Sequence, residues 1–267
     1  MPEYLIPKDE EDNDTEYHNT IRILSARPIQ TADDREYTTD KTETAIETIS
    51  SKKAPGEDGI TSDIFKCAYK QFPKLIDTIY NECLRQGCFP KRRKRVKVIP
   101  ITNPGKEDTR DPSKHRPISL INVGGKVLEE ILINRIMHHV YTNNLLNNNQ
   151  FGFTPTKSTT DAAVTVNEYV GVGVRRGLIT ILVTLDVRVA FDSAWWPSIL
   201  KTLKDFNWPR NLYYLTKSYL SQRTAVMSTN TVRVEREVSS GCPQGSCCGP
   251  GLWNNQYNSL LNLEFRK

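Results

Sequence analysis

Residues 178–192 read Leu178-Ile179-Thr180-Ile181-Leu182-Val183-Thr184-Leu185-Asp186-Val187-Arg188-Val189-Ala190-Phe191-Asp192, and the reading of this stretch sets the expected fold. From Ile179 to Leu185 every residue favours extended backbone and no breaker intervenes, which is the pattern of a central strand buried on both faces. A carboxylate where such a run ends sits at the mouth of a sheet, where metals and phosphates can approach. Amphipathic helical patterns lie on either side, so the expected class is α/β in the α+β sense. Ile179–Asp186 is expected in a mixed or antiparallel sheet, next to a hairpin formed by Thr224–Thr229 and Thr231–Val238.

Working outward, Ile64 to Leu84 carries apolar residues at helical spacing in two segments divided at Pro73, and Gly87 is placed to end the second. Val96–Ile101 alternates like a strand, and Lys114–Leu120 follows after a polar turn region. Gly124-Gly125-Lys126 opens a helix carrying Val127, Leu128, Ile131, Leu132 and Ile136, without the spacing of a phosphate-cradling P-loop. Further helices are expected over Asp161–Val174, Ile199–Phe206, beyond Pro209 and over Gly251–Leu263. Residues 1–44 are polar, charged and Thr-rich, and read as a poorly ordered linker.

Composition narrows the class of protein. The 267 residues are 37% hydrophobic and 25% charged, and no stretch approaches the length of a membrane-spanning helix. The acidic start (Glu3, Asp9, Glu10, Glu11, Asp12) is the opposite of a secretory signal. Six cysteines form no zinc-like spacing, which suits reduced thiols inside a cell. Neighbouring His138 and His139 cannot share a helical face, which argues against a joint metal site. The net charge of +5 hides an asymmetry: Lys91-Arg92-Arg93-Lys94-Arg95, then Lys97, place six positive charges in seven residues. Such a block is either a solvated charge run, a surface for nucleic-acid phosphates, or a crude nuclear-import signal.

Several short motifs arrive in a telling order. Leu185-Asp186-Val187-x-x-Ala190-Phe191-Asp192, then Trp196, then Gly241-Cys242-Pro243-Gln244-Gly245-Ser246, resemble two sequence blocks of the reverse transcriptases of non-LTR (LINE-type) retrotransposons. Lys53-Ala54-Pro55-Gly56-Glu57-Asp58-Gly59 resembles the entry motif of that family, Arg116-Pro117-Ile118 its triphosphate motif, and Gln150-Phe151-Gly152-Phe153 its template-contacting motif. The resemblance runs over roughly residues 45–267.

The resemblance implies the fingers and palm of a right-hand polymerase, with 45–177 as fingers and the start of the palm and 178–267 as a partial palm. It implies deoxynucleotide addition to a primer 3′-hydroxyl, with an RNA template, a DNA primer, deoxynucleoside triphosphates and Mg²⁺ as partners, no membrane, and an open oligomeric state. Asp186 is then the catalytic carboxylate and a Mg²⁺ ligand, joined by the carbonyl of Val187. Phe191 fills the volume of a ribose 2′-hydroxyl; its plain alternative is an ordinary core phenylalanine. Lys106, Arg116, Gln244 and Gly245 are the expected nucleotide contacts. Lys91, Arg92, Arg93, Lys94, Arg95, Lys97, Gln150 and Gly152 are the expected nucleic-acid contacts.

Departures from the pattern are Asn103, where the family carries lysine, and Arg188 and Val189, where it carries small residues. The family's block with two adjacent aspartates, and its thumb, are not found in these residues. The expectation is therefore a polymerase portion inactive alone; the rival readings are a non-enzymatic nucleic-acid-binding remnant and an RNA polymerase palm.

Overall fold

The described residues of the computed structural model, 6, 8–102, 111, 114–187, 190–228 and 233–263, form nine α-helices and one four-stranded sheet. The helices are α1 (Glu16–Ala26), α2 (Thr39–Thr48), α3 (Ser62–Gln71), α4 (Pro73–Arg85), α5 (Val123–Thr142), α6 (Thr159–Arg175), α7 (Trp196–Asp205), α8 (Arg210–Leu220) and α9 (Gly249–Leu261). The strands are β1 (Arg95–Thr102), β2 (His115–Leu120), β3 (Arg223–Ser228) and β4 (Arg233–Val238). A mixed α/β architecture is thus present, and among the described residues no helix is long and apolar enough to cross a membrane.

Local chemistry sets the helix ends. Asn122 caps α5 by accepting from the Gly125 amide at 2.7 Å. The stop expected at Gly87, and the stop of α6 at Gly177, are both Schellman closures. Cys88 N donates to Cys83 O at 2.9 Å after α4, and Leu178 N donates to Gly173 O at 2.9 Å after α6.

Helix α5 is buried on all sides over residues 123–129, and Val127, Leu128, Leu132, Ile136 and Val140 are fully buried, while Asn134 and His138 leave one side of its second half exposed. Helices α2, α3 and α9 pack against it. The Pro-Gly turn ahead of α3 docks on its N-terminus. A side chain at Gly56 would come within 2.6 Å of the Asn122 backbone, so only glycine permits this approach.

The sheet order is β2-β1-β3-β4. Strands β1 and β2 pair antiparallel, with Ile99 opposite Ile118, and β3 and β4 form the expected hairpin, with Ala225 opposite Arg236. The neighbour of that hairpin is β1, in parallel register (Val96 opposite Ala225). It is not Ile179–Asp186. That stretch, expected as the central strand, has no regular structure and no ladder partner among the described residues. Ile179 is 93% exposed and Leu185 85% exposed. Strand propensity measures fit to a pleated, partly buried surface, and without a neighbour it fixes nothing.

Residues 8–44 also differ from the expected linker. Helix α1 begins with a capping box between Thr15 and His18, and Lys204 donates to the carbonyls of Leu24, Ser25 and Arg27 at its end. Arg22 pairs with Asp9 at 2.7 Å, Arg210 with Asp33 at 2.6 Å, and Arg135 with Asp34. The polar composition suggested a chain without a core of its own; ion pairs and caps on distant helices supply the order instead.

This division predicts unequal responses to truncation. Ile136→Ala should cost about 2–5 kcal/mol in urea unfolding, as deleted core methylenes do. Leu182→Ala, on the exposed stretch, should stay within about 0.5 kcal/mol of the wild type. Equal losses would contradict the placement of 178–187.

Candidate functional site

Residues 239–248, between β4 and α9, form a strap held on two sides. Gly241 N donates to Ala194 O and Cys242 N to Phe191 O, each at 2.7 Å, tying the strap to the turn after Ala190. On the other side Ser119 N, in β2, donates to Gln244 O at 2.8 Å. Gly245 has φ +107°, and a Cβ there would lie 2.8 Å from Ser119 O, so both the backbone angle and the approach demand glycine.

The strap closes one wall of an open cleft of about 600 Å³ that is also lined by Arg116, Phe153, Phe191 and Asp192. The Phe191 ring meets Phe153 edge-on at 5.7 Å and lies 6.1 Å from Trp253, so its orientation is set by packing. Arg116 is exposed at the mouth and has no ion pair among the described residues. Four of the expected nucleotide contacts, Arg116, Phe191, Gln244 and Gly245, therefore share one cavity although they come from three separated segments. The fifth, Lys106, lies outside the described residues, as do Asn103, Arg188 and Val189.

Asp192 also lines this cleft. Gln244 Nε2 donates to its Oδ2 at 3.1 Å. Burial pushes its carboxyl up from 3.8 to about 6, and the Gln244 hydrogen bond opposes this only in part.

Asp186 and Val187 are not part of the cleft. Both sit on the exposed stretch, and Asp186 has no hydrogen bond or ion pair among the described residues. Among those residues no three His, Cys, Asp or Glu side chains converge on a point. Magnesium needs a near-octahedral set of oxygens. One exposed carboxylate and a neighbouring carbonyl do not make one, so the donors present do not by themselves fit the ion.

The basic block is dispersed by the fold. Arg93 donates to Gly124 O at 2.5 Å and lies over the Tyr80 ring at 5.3 Å. Lys94 is buried against Ser218 Oγ at 3.2 Å, and that burial holds its amine below the usual lysine range. Arg95 is shared between Glu57 at 3.0 Å and Glu235 at 2.7 Å. Only Lys91, Arg92 and Lys97 have side chains without such a partner among the described residues, with Lys91 and Arg92 exposed and Lys97 half-buried.

Gln150 is buried: its amide donates to Gly152 O and to Asn254 Oδ1, each at 3.0 Å, so it shapes its own loop. Gly152 is exposed beside it. Arg135 of α5 is taken up by Asp34 and lies over the Tyr37 ring at 4.9 Å. Sequence reasoning passed over Glu129, which is fully buried under the strap. Its only signal was one acid among the apolar positions of α5.

The fold is mixed α/β, and its cleft is built from an arginine, an aromatic ring and a glutamine–glycine strap. Residues 102–264 match the family described as reverse transcriptase (RNA-dependent DNA polymerase). The chain is 32% identical over 219 residues to a putative 115 kDa protein in type-1 retrotransposable element R1DM of Drosophila melanogaster, covering 82% of this chain and 21% of that one. It is 30% identical over 222 residues to a retrovirus-related Pol polyprotein from type-1 retrotransposable element R1 of Bradysia coprophila, 83% of this chain and 22% of that protein. Against an RNA-directed DNA polymerase from mobile element jockey of Drosophila melanogaster it is 30% identical over 218 residues, 81% and 24% of the two chains. The chain belongs to the reverse transcriptase family, on the branch of non-LTR retrotransposons. It spans about a fifth to a quarter of the length of these relatives.

The environment of Asp192 generates a pH dependence. The folded chain keeps this proton up to about pH 6 whereas the unfolded carboxyl releases it near 3.8, so stability falls as pH rises through that window. Asp192→Asn should therefore melt above the wild type at pH 8, with the gap closing toward pH 4. A gap that widens toward low pH would contradict the burial of this carboxyl.

Proposed function

We propose that this chain is a portion of an RNA-directed DNA polymerase and that the cleft receives the incoming deoxynucleoside triphosphate. The observation that carries the reading is the meeting of Arg116, Phe191, Gln244 and Gly245 in one cavity. Its volume falls within the roughly 300–1,000 Å³ of small-molecule sites. Arg116 at the mouth presents a fork of donors matched to phosphate oxygens. Phe191 takes the space beside the sugar, where a ring and a 2′-hydroxyl cannot both fit. Gln244 and the Gly245 backbone face the base and sugar.

In this reading the RNA template and DNA primer run past Gly152, the exposed cations Lys91 and Arg92, and half-buried Lys97. The fingers and palm then meet at the sheet that joins β1 to β3. Asp186 and the Val187 carbonyl belong to the metal site of the working enzyme, which takes Mg²⁺ only when further carboxylates are added. The described donors supply one carboxylate against the roughly four positive charges of two ions, so the chain by itself does not carry out processive synthesis. The other reading, a nucleic-acid-binding remnant, is supported by the same exposed cations and differs only in activity. An RNA polymerase is disfavoured by the ring of Phe191 in the cleft.

Three measurements check the proposal. Arg116→Ala should weaken binding of a deoxynucleoside triphosphate about tenfold or more while leaving that of the nucleoside unchanged, and Phe191→Ala should narrow the preference for deoxy- over ribonucleotides. Equal loss for nucleoside and triphosphate would remove Arg116 from its role. Replacing Lys91, Arg92 and Lys97 by glutamine should lower the log–log salt slope of RNA binding by about 2–3, whereas Lys94→Gln should leave it unchanged. Primer extension by the isolated chain that vanished on Asp186→Ala would refute the claim of inactivity.

A further inference from the structure

The strap that carries Gln244 is held from beneath as well as from its sides. Glu129 lies in the middle of α5 and is fully buried. Its Oε2 accepts from Ser246 Oγ at 2.9 Å and from Cys247 N at 3.2 Å. A hydroxyl has one proton to give, and Ser246 gives its proton to Glu129. The 2.8 Å contact between Tyr219 and Ser246 must then be donated by the tyrosine, and Cys248 N donates to the same Oγ at 3.1 Å. Ser246 Oγ thus makes one donor and two acceptor bonds, its full capacity. Rotating its side chain breaks all three at once.

Leu128 and Leu132 on the same helix are fully buried, so Glu129 carries a carboxylate into an otherwise apolar stretch of α5. Among the described residues, Glu129 Oε1 and two nitrogens of buried Arg223, Nε and Nη2, have no hydrogen-bond partner. Buried charges with incomplete bonding are rarely stabilising on balance, and fixing a particular geometry is their best-attested use.

We propose that Glu129 is a positioning residue for the nucleotide strap. By holding Ser246 and the Cys247 amide it keeps the Gln244–Gly245 backbone pressed on β2, so that Gln244 meets an incoming deoxynucleoside triphosphate in one orientation. The inference rests on the reading of the cleft as a nucleotide site. Glu129 touches no substrate and acts through Ser246. A glutamine at 129 could still accept both bonds through its one carbonyl oxygen, because Ser246 and the Cys247 amide share Oε2, whereas an unbranched methionine keeps the length of the side chain and accepts neither.

The test compares the whole chain with Glu129→Met, Ser246→Ala and Ser246→Thr, using two readouts: amide hydrogen exchange over residues 244–248, and the dissociation constant for dTTP. Glu129→Met and Ser246→Ala should each speed exchange at Cys247 and Cys248 about tenfold or more and weaken dTTP about as much, with helical circular dichroism unchanged. Ser246→Thr, which restores the hydroxyl, should bring both values back to within about threefold of the wild type. The proposal is overturned if the first two variants exchange and bind as the wild type does, if Glu129→Met lowers only the melting temperature, or if Ser246→Thr fails to rescue. A wild-type chain that binds no dTTP would sink the nucleotide reading, and hydrogen exchange would then decide the role of Glu129 in holding the strap.

Discussion

Helix α5 must be covered over most of its surface, because residues 123–129 are buried all round and Ile131, Leu132, Ile136 and Val140 continue the buried face. That requirement draws α2, α3 and α9 around it and makes it the centre of the large hydrophobic cluster. Its N-terminus is a second meeting point. Gly56 packs on Asn122 there, and Tyr80 and Arg93 both donate to the Gly124 carbonyl. Segments that read separately along the chain as a turn, a helix and a basic run are in this way assembled on one helix end. The same helix places Glu129 under the strap that walls the cleft.

The cleft follows from backbone geometry before any side chain is considered. Three amide-to-carbonyl bonds fix the strap between the turn at 191–194 and β2, and Gly245 permits the contact with Ser119. Arg116, Phe191 and Gln244 then face a common space because their backbones are already joined. Burial in this arrangement gives Asp192 its shifted carboxyl. The metal-binding side of the chemistry is organised otherwise: Asp186 projects from a stretch that packs on little else, and its oxygen donors do not converge with others among the described residues.

Charge in this protein is distributed by tertiary contacts rather than by sequence position. Six cations in a row look like one surface, yet Arg93, Lys94 and Arg95 are each used within the fold. Arg95 shows the principle most plainly, since its partners Glu57 and Glu235 come from far along the chain in either direction. The reverse holds for the N-terminal residues. Their acids, which suggested a solvated tail, pair with Arg22, Arg135 and Arg210 and tie the segment to α5 and α8.

The sequence by itself determined helices α3 to α9, the stop of α4 at Gly87 and the β3–β4 hairpin, because caps, turns and periodicity act over a few residues. It also determined the family, since the order of short motifs such as Arg116-Pro117-Ile118 and Gln244-Gly245-Ser246 survives without any knowledge of contacts. Tertiary structure alone decided which cations stay in solvent, that Asp192 rather than Asp186 lines the cleft, and that a buried glutamate supports the strap. It also decided against Ile179–Leu185 as the central strand. Those outcomes depend on partners far away in sequence: a strand exists only beside another strand, and a charge is free only where no opposite charge has been folded against it.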